Sequence, residues 1–185
     1  SEGKEIMYFL KTKGSGYKSI MVPAGHARSR SKTASDSSEY ELSMNGADVF
    51  SFTITDVPKA LNSFMKEYSI NLNDVDQFVF HQANLYIIKH LAKKMGIPME
   101  KVPISIDKYG NTSGESIPIT LVDAFASEEP VESDDTVRLL LCGFGVGLSY
   151  GGVYLDIKKS VCLPMIYTDY YFNEKELIEN GDVNK

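Results

Sequence analysis

Apolar residues recur at helical spacing in the first half of the chain. Between residues 50 and 68 they are three or four positions apart, as on one face of an amphipathic helix: Phe50, Ile54, Val57, Leu61, Phe64 and Tyr68. Pro58 lies within this stripe and predicts a kink or two abutting helices, because proline removes a backbone hydrogen bond. Two further helices are predicted over 85–95, where Gly96 and Pro98 end the pattern, and over 117–126.

Short apolar runs between these helices predict β-strands. The runs cover residues 5–11, 18–22, 77–80, 102–106, 137–141 and 149–157. Strands and helices alternate along the chain, which predicts an α/β layered architecture. The first strand begins almost at once, so we expect the domain to have lost its own beginning.

Composition narrows the classes of protein that fit this pattern. A length of 185 residues suits one domain with a substantial core. The net charge of −6 argues against nucleic acid as a partner, because phosphate binding needs a basic surface. The apolar stretch over 139–155 is short and interrupted by glycines, so no membrane span is predicted. Only two cysteines are present, which predicts a reducing, cytoplasmic location.

Two polar blocks follow predicted strands. His81-Gln82-Ala83-Asn84 comes after 77–80, and Gly110-Asn111-Thr112-Ser113 comes after 102–106. Strand ends are where α/β proteins build their sites. An imidazole and a primary amide together offer two N–H donors to one developing oxyanion, so His81 and Asn111 are candidate catalytic residues. The alternative is that both side chains only satisfy backbone groups of their loops.

No nucleophile accompanies this pair. Cys142 lies in an apolar run that predicts a buried strand, and Cys162 lies in the tail beyond the last predicted strand. A catalytic cysteine needs an environment that favours its thiolate, and neither position offers one.

A third block, Gly143 to Gly151, and Ser116-Ile117-Pro118 complete a recognisable pattern. In order and spacing, these blocks resemble the C-terminal half of β-ketoacyl-ACP synthase III, a member of the thiolase-like superfamily, over about residues 5–157. The resemblance implies a thiolase-like half, a mixed β-sheet with helices packed on its faces in α-β-α layers. It also implies a domain over 1–157 and a C-terminal extension over 158–185.

The resemblance implies a function as well. Enzymes of this family join an acyl thioester to malonyl-ACP by decarboxylative Claisen condensation in fatty-acid biosynthesis. His81 and Asn111 would bind the malonyl thioester carbonyl and stabilise its enolate. The backbone N–H of Val146 would contribute to the oxyanion hole of the acyl-cysteine. Asn84, Gly46 and Ala47 correspond to positions that border the tunnel for the pantetheine arm.

Recognition of the acyl carrier protein is implied at Lys93 and Lys94, although a solvated helix face is an equal alternative. Tyr86 stands where the family often has an arginine, and Ser51 where it often has a lysine. These two departures argue against the usual mode of carrier-protein docking. A loop carrying Arg28, Arg30 and Lys32 is a second source of positive charge, with a flexible charged loop as the alternative.

No cofactor and no metal are expected. The substrates would be acyl-CoA and malonyl-ACP, whose phosphopantetheine is carried by the acyl carrier protein. The nucleophilic cysteine is expected in an N-terminal half absent from this chain, so the chain alone is predicted to be inactive. It would be a fragment, one subunit of a split enzyme or a non-catalytic remnant, and the assembled protein is expected to form a homodimer. The alternatives in function are a non-catalytic partner subunit and an acyltransferase with an unusual acyl acceptor.

Overall fold

The computed structural model describes residues 5–24, 37–127 and 135–166. The loop with Arg28, Arg30 and Lys32 lies outside the described residues, as do residues 167–185 of the predicted extension. The division of the chain at residue 157 stays a prediction.

Ten helices and strands follow one another in the described residues, apart from short 3-10 turns. They are β1 (Met7–Thr12), β2 (Ile20–Met21), β3 (Ser43–Met44), α1 (Gly46–Glu67), β4 (Gln77–Phe80), α2 (Leu85–Met95), α3 (Ile106–Tyr109), α4 (Ser116–Phe125), β5 (Thr136–Gly145) and β6 (Ser149–Lys158). The main sheet has the order β1-β6-β5-β4. In it, β4 runs parallel to β5, whereas β6 is antiparallel to both β5 and β1. The predicted mixed sheet is therefore confirmed.

Helices cover both faces of this sheet. On one face, α1 and α2 pack against Phe78 and Phe80 of β4 in a fully buried core. On the other face, α4 packs against Val79 of β4 and Leu139 of β5. Successive residues of a strand point to opposite faces of the sheet. Phe78 and Phe80 therefore pack on the side of α1 and α2, whereas Val79 packs on the side of α4. The predicted α-β-α layering is confirmed.

Helix α1 continues through Pro58, so the alternative of two abutting helices is wrong. Pro58 has no N–H to donate to the carbonyl of Ile54, four residues earlier. Lys94 Nζ, from α2, donates to that carbonyl instead. A side chain from the neighbouring helix thus supplies a donor where proline removes one.

The strand predicted over 102–106 does not form. Residues 102–105 have no regular secondary structure, and Ile106 begins the short helix α3. Pro103 has no N–H for a sheet ladder. The backbone N–H groups of Ser105 and Ile106 both donate to Gln82 Oε1, at 3.1 and 3.2 Å, and so turn away from strand pairing.

The predicted strand over 18–22 is likewise reduced to the two residues of β2, because the chain before it forms a 3-10 helix over Gly14–Ser19. The remaining predicted strands and helices are confirmed, with boundaries displaced by a few residues. Among the described residues, no helix combines the length and the apolar character needed to cross a membrane.

Candidate active site

His81 lies directly after β4, where its backbone N–H continues the pairing to β5 by donating to the Cys142 carbonyl at 2.8 Å. The imidazole is half-buried, edge-on to the ring of Phe144 with 5.3 Å between the ring centroids. Its Nδ1 lies 2.6 Å from Ser116 Oγ at the start of α4. Two elements that are 35 residues apart in the chain therefore hold this ring.

Ser116 and burial both bear on the protonation of this ring. Its buried Oγ accepts a hydrogen bond from the Gln82 backbone N–H at 3.3 Å, and its hydroxyl hydrogen is the donor to His81 Nδ1 when the ring is in the Nε2–H tautomer. A neutral imidazole that accepts at Nδ1 carries its proton on Nε2. Burial lowers the pKa of His81, and a hydrogen bond with the Ser113 backbone opposes this shift only in part. The site therefore favours a neutral His81, and the contact with Ser116 is compatible with an Nε2–H donor.

Asn111 follows Gly110, whose φ of 69° is a left-handed conformation that suits glycine. The Asn111 side chain is exposed, and its Oδ1 accepts from the Ser113 backbone N–H at 3.0 Å. Its amide nitrogen has no hydrogen-bond partner among the described residues. The turn therefore occupies the acceptor end of the amide and leaves the donor end available.

Gln82 is a residue of the site to which the sequence analysis assigned no role. It is fully buried, and its Nε2 donates to the Phe80 carbonyl at 2.9 Å. Its Oε1 accepts the two N–H groups of Ser105 and Ile106 described above. Gln82 therefore joins the loop that carries His81 to the segment that leads to Asn111. The only signal in the sequence was its place inside the block between His81 and Asn84.

His81 and Asn111 both line two adjacent cavities. The larger cavity has a volume of about 520 Å³ and also includes Leu42 and Val146 in its wall. The smaller cavity has a volume of about 210 Å³, and its wall is mostly apolar. Ile20, Met44, Phe144 and Gly145 are the other residues that the two cavities share.

The predicted substrate-binding residues are divided between the smaller cavity and the surface. Gly46 and Asn84 line the smaller cavity, whereas Ala47 is exposed on α1 and lines neither cavity. Asn84 also begins α2, with its Oδ1 accepting from the Ile87 N–H at 2.8 Å. Lys93 and Lys94 are exposed on α2 and line neither cavity.

Both cysteines of the chain are buried and outside these cavities. Burial raises the pKa of the Cys142 thiol to about 12, and it also raises the pKa of Cys162. Neither thiol is therefore activated as a nucleophile. Within the described ranges, no group of three or more His, Cys, Asp and Glu side chains is arranged to hold a metal ion.

Comparison with known proteins identifies the family. Residues 65–157 match the family described as "3-Oxoacyl-[acyl-carrier-protein (ACP)] synthase III C terminal". The chain belongs to this family. It is 34% identical over 152 residues to the β-ketoacyl-[acyl-carrier-protein] synthase III of Clostridioides difficile, and 35% identical over 156 residues to that of Staphylococcus saprophyticus. These alignments cover 82% and 84% of this chain but only 45% of each relative.

A solved structure of a synthase of this name has the same fold. The 3-oxoacyl-(acyl-carrier protein) synthase of Burkholderia xenovorans LB400 superposes with a TM-score of 0.74 and 32% identity. The match covers 88% of this chain and 47% of that protein. The thiolase-like fold implied by the synthase III resemblance is confirmed. The chain spans about half the length of the relatives it matches.

Proposed function

We propose that this chain is the C-terminal half of a condensing enzyme that joins an acyl thioester to malonyl-ACP in fatty-acid biosynthesis. One observation carries the proposal: His81 and Asn111, from separate loops, line the same pair of adjacent cavities. Each presents a nitrogen donor, the first oriented by Ser116 and the second left available by the turn at Asn111. Family membership supports the same function.

The two donors suit the decarboxylation step. When the bond between the malonyl C2 and its carboxylate breaks, carbon dioxide leaves and the electron pair forms an enolate on the thioester oxygen. Hydrogen bonds from His81 Nε2 and Asn111 Nδ2 stabilise that oxygen. The enolate carbon then attacks the acyl group on a cysteine and expels the cysteine thiolate. Loss of one such donor typically slows a reaction by about 10²–10³-fold.

We place the acyl-cysteine in an N-terminal half that closes the larger cavity. Leu42, Met44 and Val146 line this cavity and are 67%, 62% and 63% exposed, an unusual amount for apolar side chains at one site. A partner half would cover them and bring its cysteine to the enolate. The Val146 N–H would then serve the oxyanion hole of the acyl-cysteine.

The smaller cavity is proposed to hold the pantetheine arm. Its apolar wall, with Gly46 and Asn84 beside His81, is typical of a small-molecule site with a few orienting polar groups. Ala47 lies next to it on the surface. Lys93 remains a candidate contact for the acyl carrier protein, whereas Lys94 already donates to the Ile54 carbonyl. We further propose a cytoplasmic homodimer that needs no cofactor beyond the phosphopantetheine of its carrier protein.

The test combines the chain with the N-terminal half of a synthase III relative. The 3-oxoacyl product formed from acetyl-CoA and malonyl-ACP is measured by mass spectrometry. We expect product, and a rate reduced about 10²–10³-fold by His81→Ala and by Asn111→Ala. Asn62→Ala is the control, because Asn62 is exposed on α1 and lines neither cavity.

Two outcomes would contradict the proposal. If His81→Ala leaves the rate of condensation unchanged, His81 does not stabilise the enolate. A stable complex whose activity survives Asn111→Ala would instead support the alternative of a non-catalytic partner subunit.

A further inference from the structure

Helix α4 carries three polar side chains in a largely apolar sequence. Its apolar residues pack against β4 and β5. Ser116, Thr120 and Asp123 follow one another at intervals of four and three positions, so they lie on the same side of the helix. We call these three residues the polar stripe. Each of them contacts either His81 or the segment that leads to Asn111.

The middle of the polar stripe holds Ser105, the residue before α3. Thr120 Oγ1 donates to the Ser116 carbonyl at 2.7 Å, and Ser105 Oγ lies 2.7 Å from the same Thr120 oxygen. A carbonyl oxygen can only accept, so Thr120 uses its single hydrogen there and Ser105 is the donor to Thr120. Both hydroxyl groups belong to buried residues, where an unpaired polar group is costly. This contact therefore fixes the start of α3 on α4.

The end of the polar stripe holds α3 itself. Lys108 Nζ lies 2.9 Å from each carboxylate oxygen of Asp123, and the Tyr109 hydroxyl donates to Asp123 Oδ1 at 3.0 Å. The Asp123 side chain is only 15% exposed, so the carboxylate is held in place by its surroundings. Gly110 and Asn111 follow Tyr109 directly. Asp123 therefore fixes the orientation of the backbone from which the turn to Asn111 begins.

We infer that Thr120 and Asp123 are positioning residues for Asn111. The first residue of the polar stripe, Ser116, contacts His81 Nδ1 at 2.6 Å, so a single helix is the common base of both donors. This inference rests on the proposed function, in which the two donors converge on one enolate oxygen. Misplacement of a reacting group by about 1 Å can slow a reaction by about 10²-fold, so the spacing of the two donors matters. The polar stripe sets that spacing.

The kinetic test uses the chain combined with the N-terminal half of a synthase III relative. We expect Asp123→Ala to lower kcat about tenfold and to leave the KM for malonyl-ACP within about twofold, because only the placement of a donor in the transition state changes. In an Asn111→Ala background the same change should have no further effect, since the residue that it positions is gone. In a His81→Ala background it should again lower kcat about tenfold.

Two further variants separate positioning from a general loss of charge. Asp123→Glu keeps a carboxylate and should retain most of the rate. Asp135→Ala is the matched control, because Asp135 also forms an ion pair, with Lys159 at 3.0 Å, but lies before β5 at the end of that strand remote from the site. Its kcat should equal that of the unchanged assembly.

A second measurement needs no turnover. NMR relaxation of the backbone amides of the full chain gives the order parameter of Asn111. We expect Asp123→Ala and Thr120→Val each to lower it towards the flexible range below about 0.6, because the preceding segment loses an anchor. Thr120→Ser keeps the hydroxyl group and should keep the order parameter. Thr55→Val is the matched control, since it removes the same kind of bond to the carbonyl four residues earlier, but in α1.

Several results would overturn the inference. They are an unchanged kcat in Asp123→Ala, an equal loss of kcat with and without Asn111→Ala, and an Asn111 order parameter that neither Asp123→Ala nor Thr120→Val lowers. The proposed function fails differently, through absent product in the unchanged assembly or through insensitivity to His81→Ala. The relaxation measurement decides the positioning role even when no product forms, because it is made on the chain alone.

Discussion

At the scale of single residues, the hydroxyl group of Ser116 contacts both the His81 ring and the backbone next to it. Its oxygen accepts from the Gln82 backbone N–H and lies 2.6 Å from His81 Nδ1, so that the imidazole is held in an orientation compatible with the Nε2–H tautomer. A histidine that must donate a hydrogen bond through Nε2 and remain uncharged needs this kind of support. The neutral state is further favoured because the ring is half-buried.

The pKa of His81 is expected to lie below the ordinary value of 6.5, because burial disfavours the charged ring. The unfolded chain then binds this proton more readily than the folded chain. The free energy of unfolding should therefore fall as the pH drops from about 6.5 through the folded pKa. A pH titration of the imidazole signals by NMR measures the midpoint, with His81→Asn identifying the signal. A midpoint above 6.5 would be the contrary result.

Gln82→Leu should destabilise the fold by about 3 kcal/mol. The substitution removes three hydrogen bonds and leaves the Phe80 carbonyl and the N–H groups of Ser105 and Ile106 without their partner, at about 1 kcal/mol each. Chemical denaturation of the chain measures the change. Gln77→Leu on β4 is the control and should be nearly neutral, since no side-chain hydrogen bond holds Gln77 within the described residues. Equal losses in both variants would contradict the role given to Gln82.

At the scale of elements, a hydrogen bond joins α1 and α2 in addition to their shared apolar core. Pro58 is buried inside α1, and Lys94 of α2 donates to the carbonyl that this proline cannot serve. The proline thus leaves an acceptor on α1 that a side chain of the second helix satisfies. Helix α1 is continuous through Pro58.

Lys94→Met should lower the free energy of unfolding by about 0.5–1 kcal/mol, the net value of an exposed hydrogen bond. Lys93→Met, one position away on the same helix, should have no measurable effect. In a Pro58→Ala background, residue 58 has its own N–H for the Ile54 carbonyl, so Lys94→Met should cost less there. Urea denaturation of the four variants measures this coupling. Additive effects of the two changes would show that Lys94 does not replace the missing donor.

Elements whose pattern is local could be predicted from the sequence, and those that depend on distant partners could not. The apolar periodicity of α2 and its end at Gly96 are local, and so are the two long strands around the glycine-rich turn. The segment over 102–106 looks equally apolar. Its backbone is nevertheless directed by Gln82, which is 23 residues from Ser105, and no local pattern reports that contact.

The candidate site likewise contains residues that the sequence predicted and residues whose roles it did not predict. The motifs predicted His81 and Asn111 as a pair, and the structure brings both to the same cavities. The positioning roles of Ser116 and Gln82 escaped the sequence analysis because they exist only after folding. Ala47 was assigned by position in the motif, but its side chain faces solvent one residue beyond Gly46.

At the scale of the whole molecule, one face of the sheet is only partly covered. Helix α4 packs on β4 and β5, whereas Tyr8 and Leu10 of the edge strand β1 are 63% and 79% exposed. The alternate residues Met7 and Phe9 pack into the core on the opposite face. An exposed apolar strip on an edge strand is a favourable surface for association.

Leu10→Lys should weaken association with the proposed N-terminal half by about tenfold or more, because it prevents burial of one leucine side chain. The stability of the chain itself should change little, since Leu10 is already exposed. Analytical ultracentrifugation of the mixture measures the affinity. Leu163→Lys is the control, because Leu163 is 72% exposed but lies beyond β6. Equal weakening by both changes would argue against this strip as the contact.

The burial of Cys142 and Cys162 has a practical use. These are the only cysteines of the chain, and burial raises the pKa of both thiols, so the unmodified protein offers no reactive thiolate at neutral pH. A cysteine introduced as Val146→Cys, on the exposed wall of the larger cavity, would be alkylated selectively by a maleimide dye. The fluorescence of that single label would then report, in real time, the arrival of whatever closes the cavity.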